Sequence, residues 1–145
     1  MPYKPEHLDQ VRRHAYEKQV GTAEERQRAS LAHAEGGPAY TAFQDGEPIA
    51  CGGIMILWKH VGEAWFAMRY DKPDIVIPIF RTVKKYLGFL MELHNLKRVQ
   101  VLVRADWPES IRFSQKLGFE AEALLRKFTP DLKDCFILSK VVSYV

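Results

Sequence analysis

The sequence has no apolar run that approaches the roughly 18 residues needed for a membrane-spanning helix. Its opening residues, MPYKPE, also lack the apolar segment that characterises a signal peptide. We therefore expect a protein that does not enter a membrane and whose default location is the cytoplasm.

Cysteine is scarce as well. The two cysteines, Cys51 and Cys135, occur in neither a CxxC motif nor a Cys/His cluster. A structural zinc site usually requires such a motif or cluster, so no structural zinc site is predicted. Both cysteines lie in apolar runs, which predicts buried, reduced thiols rather than nucleophiles.

A strong excess of one charge sign is missing too. The formal net charge is +3, and the basic residues are spread along the chain, as in the pairs at 12–13, 84–85 and 97–98. A nucleic-acid-binding domain usually concentrates basic residues on one face, so that class is disfavoured. A modest basic excess does suit an anionic ligand such as a nucleotide phosphate.

What remains is the composition of an ordinary globular protein. The chain has 145 residues, of which 47% are hydrophobic and 27% charged. That balance argues against disorder, and the length suits one domain with one core. We therefore predict a single domain over residues 1–145.

The first third of the chain is predicted to be helical. Residues 6–20 carry a sparse apolar stripe. Thr22 is followed three residues later by Glu25, a capping-box spacing that starts a second helix. This helix is expected to end near Gly36.

A hairpin is predicted next, from strands at 40–44 and 48–57. The Asp45-Gly46 pair between these apolar runs is a strong signal for a two-residue turn. Glycines 52 and 53 within the second run indicate a bulge or a close backbone approach. A third strand follows at 63–70.

The clearest helix spans residues 74–94, with Asp74 as its N-cap and apolar residues at helical spacing. A strand at 98–104 follows. Asp106 and Glu109 then have capping-box spacing, which predicts a helix that runs to Leu117 and stops at Gly118. Two strands, at about 120–128 and 135–142, complete the order α-α-β-β-β-α-β-α-β-β, which indicates an α/β or α+β fold with a mixed sheet.

Residues 110–120 read SIRFSQKLGFE. This segment resembles the closing helix of the GNAT acetyltransferases, in which S-I-R-x-x-E-K-L-G-F-E recurs after a valine-rich strand. The strand at 98–104 and the long helix before it also stand in that family's order, so the resemblance covers about residues 40–142. It implies an α/β, GNAT-like acyl-CoA N-acyltransferase fold with a mixed central sheet flanked by helices.

The resemblance further implies acetyl-CoA as the cosubstrate, an amine as the acceptor and no metal. The strands at 63–70 and 98–104 would be parallel and splayed, and backbone N–H groups on the first would polarise the acetyl carbonyl. The implied cofactor-binding residues are Phe66, Ala67, Met68, Arg69, Lys72, Arg81 and Ser110.

Two residues carry the implied catalysis. Glu63 matches a position at which the family often has a glutamate that acts as a base through water, although an exposed strand-end charge explains it equally well. His60 is a second candidate base, and its place in a turn favours a surface residue instead. Ser114 stands where many members have a tyrosine as general acid, and a serine is a poor acid.

The sequence departs from the family at the phosphate loop. There the family has R/Q-x-x-G-x-G/A, whereas residues 69–76 read RYDKPDIV and contain no glycine. Pro73 lacks an N–H donor, and Asp71 and Asp74 place negative charge where phosphate would bind. This departure weakens the expectation of tight CoA binding that the resemblance implies.

A second and narrower resemblance points to another function. The segments CGG at 51–53, EAWF at 63–66 and SIRF at 110–113 resemble the small internal virion protein family of T7-like short-tailed phages. It implies a catalytically silent member of the fold, located in the host cytoplasm or the virion, with phage structural proteins or a second copy as partners. An N-acyltransferase is the leading hypothesis, and this silent virion or assembly protein is the alternative.

Overall fold

A computed structural model describes residues 1–12, 23–69 and 73–142. Within these ranges the helices are α1 (Pro5–Arg12), α2 (Ala23–Glu35), α3 (Val76–Leu93) and α4 (Pro108–Lys116). The strands are β1 (Ala39–Gln44), β2 (Glu47–Trp58), β3 (Val61–Met68), β4 (Arg98–Arg104), β5 (Glu120–Leu125) and β6 (Cys135–Val141). The predicted order of helices and strands is confirmed.

The described strands form a six-stranded sheet in the order β1-β2-β3-β4-β6-β5. Strands β3 and β4 pair in parallel, whereas β1 with β2, β4 with β6 and β5 with β6 are antiparallel. A parallel pair needs a crossover connection, and α3 supplies it. The predicted α/β class, with a mixed sheet flanked by helices, is therefore confirmed. Among the described helices, none has the length and apolar character to cross a bilayer.

The chain divides into two compact units. The first unit comprises Met1–Met55 and Trp65–Arg81, and the second comprises Ile56–Ala64 and Thr82–Val145.

The first unit has a small apolar core. Its buried members are Tyr3, Leu8, Val11, Cys51 and Ala67, and Ala34, Ala39 and Trp65 pack against them. Trp65 thus packs as part of this core.

The hairpin of the first unit has the turn that its sequence predicts. Asp45 and Gly46 both have positive φ, at 52° and 78°, as a two-residue hairpin turn of matching twist requires. Gly53 approaches its neighbouring backbone closely, because a Cβ there would collide with the carbonyl oxygen of Pro38. That confirms the close approach predicted for the glycine pair.

Helix α4, in the second unit, ends at the predicted place. Gly118 has φ of 101°, and its N–H donates to the carbonyl of Gln115 at 3.0 Å. The N–H of Phe119 donates to the carbonyl of Ser114 at 3.1 Å. These two bonds form a Schellman motif, which satisfies carbonyls that the helix would otherwise leave unpaired.

Three sequence predictions about helix ends need correction or fall outside the described residues. Asp74 lies inside a 3₁₀ turn, Pro73–Ile75, so it does not cap α3, which begins at Val76. Trp107 is the N-cap of α4 and makes no side-chain capping bond, because the carboxylate of Asp106 binds Arg104 instead. The first helix is described as far as Arg12, and Thr22 lies outside the described residues.

Candidate functional site

The parallel ladder between β3 and β4 is short. It joins Val61 to Arg98 at one end and Ala64 to Val101 at the other. Strand β3 then continues to Met68 and β4 to Arg104. The last part of each strand thus extends beyond its last residue in the ladder.

Glu63 lies on the laddered part of β3, directly opposite Gln100 on β4. The side-chain Nε2 of Gln100 donates a hydrogen bond of 2.9 Å to Oε1 of the half-buried Glu63. A neutral amide therefore holds the carboxylate in one orientation.

Arg98 fixes which way that amide points. One guanidinium nitrogen of Arg98, NH2, donates to Oε1 of Gln100 at 3.1 Å. Because a guanidinium can only donate, the amide oxygen of Gln100 must face it and the amide nitrogen must face Glu63. Glu63 is thereby kept as a hydrogen-bond acceptor, which is what a general base must be.

Arg98 is held in turn by a carboxylate on β5. Its two terminal nitrogens bind the two oxygens of Glu122 at 3.2 and 2.7 Å. The hydrogen bond from Arg98, followed by one from Ser139, lowers the pKa of Glu122. The result is a polar chain of four side chains, Glu122, Arg98, Gln100 and Glu63. The sequence interpretation missed Gln100, whose signal is its polar side chain within a valine-rich strand.

Cys135 lies in the same unit, and its surroundings are unfavourable for a nucleophile. Burial raises the pKa of its thiol, and the negative charges of Asp106 and Glu63 act in the same direction against Arg104. A raised pKa keeps the sulfur protonated and weakly nucleophilic. Both cysteines are free and buried, as the sequence predicts.

The first unit holds the stretch predicted to bind the acyl group. Ala67 and Met68 are buried at the end of β3, and Phe66 is half-buried. Arg69 follows the strand directly and is buried, with its guanidinium 3.0 Å from a carboxylate oxygen of Glu47. This ion pair anchors Arg69 to β2, so any contact with a phosphate would compete with Glu47.

The start of α3 suits a diphosphate poorly. Pro78 lies in the first turn and has no N–H to donate. The neighbouring positions present the exposed carboxylate of Asp74 and the exposed apolar side chain of Ile77. Arg81 is exposed further along the helix. Lys72, the remaining predicted phosphate ligand, lies outside the described residues.

Helix α4 carries the last two predicted site residues. Ser110 is half-buried in the first turns of the helix, and Ser114 is buried near its end. The backbone carbonyl of Ser114 accepts bonds from Leu117 and Phe119, which makes this residue part of the helix terminus. Ser114 therefore has a structural role whether or not it also acts in chemistry.

His60 is a turn residue that connects two segments of the second unit. It has positive φ, and its carbonyl accepts bonds from the N–H groups of Lys97 and Arg98. Its Nδ1 lies 2.8 Å from the carbonyl oxygen of Asn95. These bonds anchor the start of β4 and give His60 a structural role, and its use as a base stays a prediction.

Solved structures provide the decisive comparison. The chain superposes on the ribosomal-protein-S18-alanine N-acetyltransferase of Escherichia coli with a TM-score of 0.77, at 15% identity, covering 100% of this chain and 94% of that one. Ard1 of Thermoplasma volcanium gives a TM-score of 0.76 at 19% identity, with 99% and 97% covered. An acetyltransferase of the GNAT family from Streptococcus pneumoniae gives 0.66 at 16% identity, with 99% and 98% covered.

The chain has the GNAT fold. At these identities the likeness establishes the GNAT architecture and leaves activity to be argued from the residues. No protein-family model matches the sequence, and no curated protein matches it either.

Set against the GNAT fold, the predicted site residues fall into two groups. Glu63, Ser110 and Ser114 belong to the second unit, and the stretch from Phe66 to Arg69 belongs to the first, as does Arg81. Glu63 and Phe66 stand on one continuous strand, β3, on either side of the point where its ladder with β4 ends.

Proposed function

We propose that this protein is an acetyl-CoA-dependent N-acyltransferase that moves an acetyl group to a primary amine. The observation that carries the proposal is the carboxylate of Glu63, held as an acceptor by Gln100 next to the end of the β3–β4 ladder. In a GNAT fold this part of β3 would face the acceptor amine, so a base here could take up the proton that the amine loses. Residues 1–145 would form the single domain that performs the reaction.

In the proposed reaction the amine nitrogen bonds to the acetyl carbonyl carbon and the carbon–sulfur bond breaks. Glu63 accepts the proton that the amine loses, directly or through one water. Backbone N–H groups in the stretch from Phe66 to Met68 would stabilise the oxyanion that forms on the carbonyl oxygen. Because Ser114 is a poor acid, solvent would supply the proton to the departing thiolate.

Direct transfer is favoured over a covalent acetyl-enzyme. The protonated, buried Cys135 is a weak nucleophile, and Cys51 is buried as well. The simplest route is therefore direct attack of the amine on the acetyl group of acetyl-CoA, assisted by the base.

The acceptor would be a protein amine or a small amine. Two of the solved proteins with this fold are named for alanine acetylation on ribosomal proteins, and another for spermidine. We place the reaction in the cytoplasm, where acetyl-CoA and such amines are both present.

Two observations about the predicted phosphate-binding region favour a second function. The start of α3 lacks a glycine, has Pro78 in its first turn and presents Asp74, while Arg69 is bound by Glu47. A protein with this fold that no longer binds CoA would serve as a structural component, and a phage virion or assembly protein is that alternative.

Calorimetric titration with acetyl-CoA separates the two functions. The enzyme should bind it with a dissociation constant below about 1 mM, a free energy of about 4 kcal/mol or more. Release of free CoA thiol from acetyl-CoA, measured against a panel of amines and alanine-initiated peptides, then tests transfer. Absence of binding at millimolar acetyl-CoA would overturn the enzyme and favour the structural protein.

A further inference from the structure

Helix α3 carries an apolar stripe that the second unit leaves exposed. Its large side chains are Tyr86, Phe89 and Leu93, which are 46%, 53% and 62% exposed. The exposed Thr82 extends the stripe by one turn. Buried positions such as Leu87, Leu90 and Met91 make up the core-facing part of the helix, so the stripe is a second apolar face beside it.

The spacing of this stripe is that of a helix–helix seam. Thr82, Tyr86, Phe89 and Leu93 follow one another at intervals of four, three and four residues. This is the alternation of a coiled-coil interface, in which one helix packs its stripe against that of another helix. The occupant that fits best is therefore a helix of similar pattern.

Charge next to the stripe selects a second copy in antiparallel orientation. Lys85 and Glu92 are exposed and flank the stripe on the same side, one near its start and one near its end. When two identical helices pack antiparallel, the same flank of each meets, and Lys85 of one copy lies near Glu92 of the other. A parallel pair would instead place this flank of the two copies on opposite sides of the seam, where Lys85 and Glu92 could not meet.

We propose that this stripe is the contact face of a homodimer in which the two α3 helices pack antiparallel about a two-fold axis. Side chains of this size carry about 150–250 Å² each, so their exposed parts supply on the order of 300 Å² per copy. A stable interface needs about 800 Å² per partner. The dimer is accordingly weak, forming at about 0.1–1 mM protein.

Sedimentation velocity of the intact chain over that concentration range tests the dimer. Wild type should shift from monomer to dimer, and Phe89→Glu should remain monomeric. Phe128→Glu is the matched control, because Phe128 is 52% exposed but lies outside α3 and should not affect association. Circular dichroism and a thermal melt establish that each variant is folded.

Charge exchange makes the test specific to the antiparallel arrangement. Lys85→Glu and Glu92→Lys should each weaken the dimer by roughly twofold to fivefold, because each places like charges opposite one another twice. An equimolar mixture of these two variants should associate again, since every contact then joins opposite charges. The proposal is overturned by a monomeric wild type at about 1 mM, by a dimer that survives Phe89→Glu, or by a mixture that associates no better than its components.

Discussion

The amide of Gln100 lies 2.9 Å from the carboxylate of Glu63, joining two parallel strands through their side chains. Arg98 holds the same amide from its other side at 3.1 Å. Since Arg98 can only donate, the three residues have one consistent hydrogen-bonding arrangement, with Glu63 accepting. This relationship connects the fold to the proposed chemistry.

Replacing Glu63 tests the proposed base. Glu63→Gln should slow acetyl transfer by on the order of 10²-fold, because an amide cannot accept a proton from the amine. The affinity for acetyl-CoA should not change, since this side chain makes no predicted contact with it. Steady-state kinetics and calorimetry measure the two quantities. Glu120→Gln, an exposed glutamate on β5, is the control and should leave the rate unaltered.

Arg81 and Arg69 should behave differently on substitution. Arg81 is exposed, so Arg81→Ala should weaken acetyl-CoA binding by about tenfold, and the effect should shrink as salt rises. Arg126→Ala removes an exposed arginine of the β5–β6 loop and should have no effect. Calorimetry at low and moderate salt measures the affinity of each variant for acetyl-CoA. Equal affinity for Arg81→Ala and wild type would show that the phosphates bind elsewhere.

Arg69→Ala should mainly reduce stability. The substitution removes a buried side chain and leaves Glu47 without its 3.0 Å ion pair. We expect a loss of about 1 kcal/mol or more, the range of a disrupted buried interaction. Urea unfolding measures it, with Glu47→Gln as the milder comparison because Glu47 itself is exposed.

Gly118 and Gly88 make a matched pair for stability. Gly118 has positive φ, so Gly118→Val should destabilise by about 1 kcal/mol or more. Gly88 lies within α3 with open space around it, so Gly88→Ala should stabilise by about 0.5–1 kcal/mol. Thermal unfolding of both variants checks that the first change lowers stability and the second raises it. If Gly118→Val melted like wild type, the Schellman end of α4 would be refuted.

His7 should make stability depend on pH. Its Nδ1 accepts a bond from the N–H of Lys4 at 3.0 Å and lies 2.8 Å from the hydroxyl of Thr41. Burial lowers the pKa of His7 below its usual 6.5, with Glu6 opposing and Lys4 assisting. The unfolded chain therefore takes up a proton at higher pH than the folded one. Its contribution is complete above about pH 6.5 and is lost as pH falls through the folded pKa.

Urea unfolding at several pH values tests this dependence. Wild type should lose free energy of unfolding between about pH 7 and about pH 5, and His7→Gln should lose less over the same interval. A slope that His7→Gln leaves unchanged would assign the pH dependence to other groups.

Local sequence signals predicted most of the fold because they act over a few residues. The turn at Asp45-Gly46, the helix stop at Gly118 and the alternation in β4 each follow from backbone and side-chain preferences of adjacent positions. They gave the order of elements that the structure confirms. Glu63 was also found from the sequence, through its position in a resembling family, and its role stays a prediction.

Ion-pair partners that are distant in the chain could not be predicted from local sequence signals. Asp106 has the spacing of a capping box, yet its carboxylate binds Arg104, and the guanidinium of Arg104 is also held by Asp131 from the distant β5–β6 loop. Arg69 resembles a phosphate ligand in the sequence, and the structure pairs it with Glu47 across a strand. A charged side chain binds whichever opposite charge the fold brings nearest.

By itself the sequence determined the elements and their order, since hydrophobic periodicity and turn chemistry are local properties, and the family resemblance supplied the α/β class. Only the tertiary structure decided the parallel register that sets Gln100 opposite Glu63. It also decided which apolar residues of α3 are buried and which, such as Phe89, remain exposed. Register and burial depend on which elements pack together, and residues far apart in the chain settle that jointly.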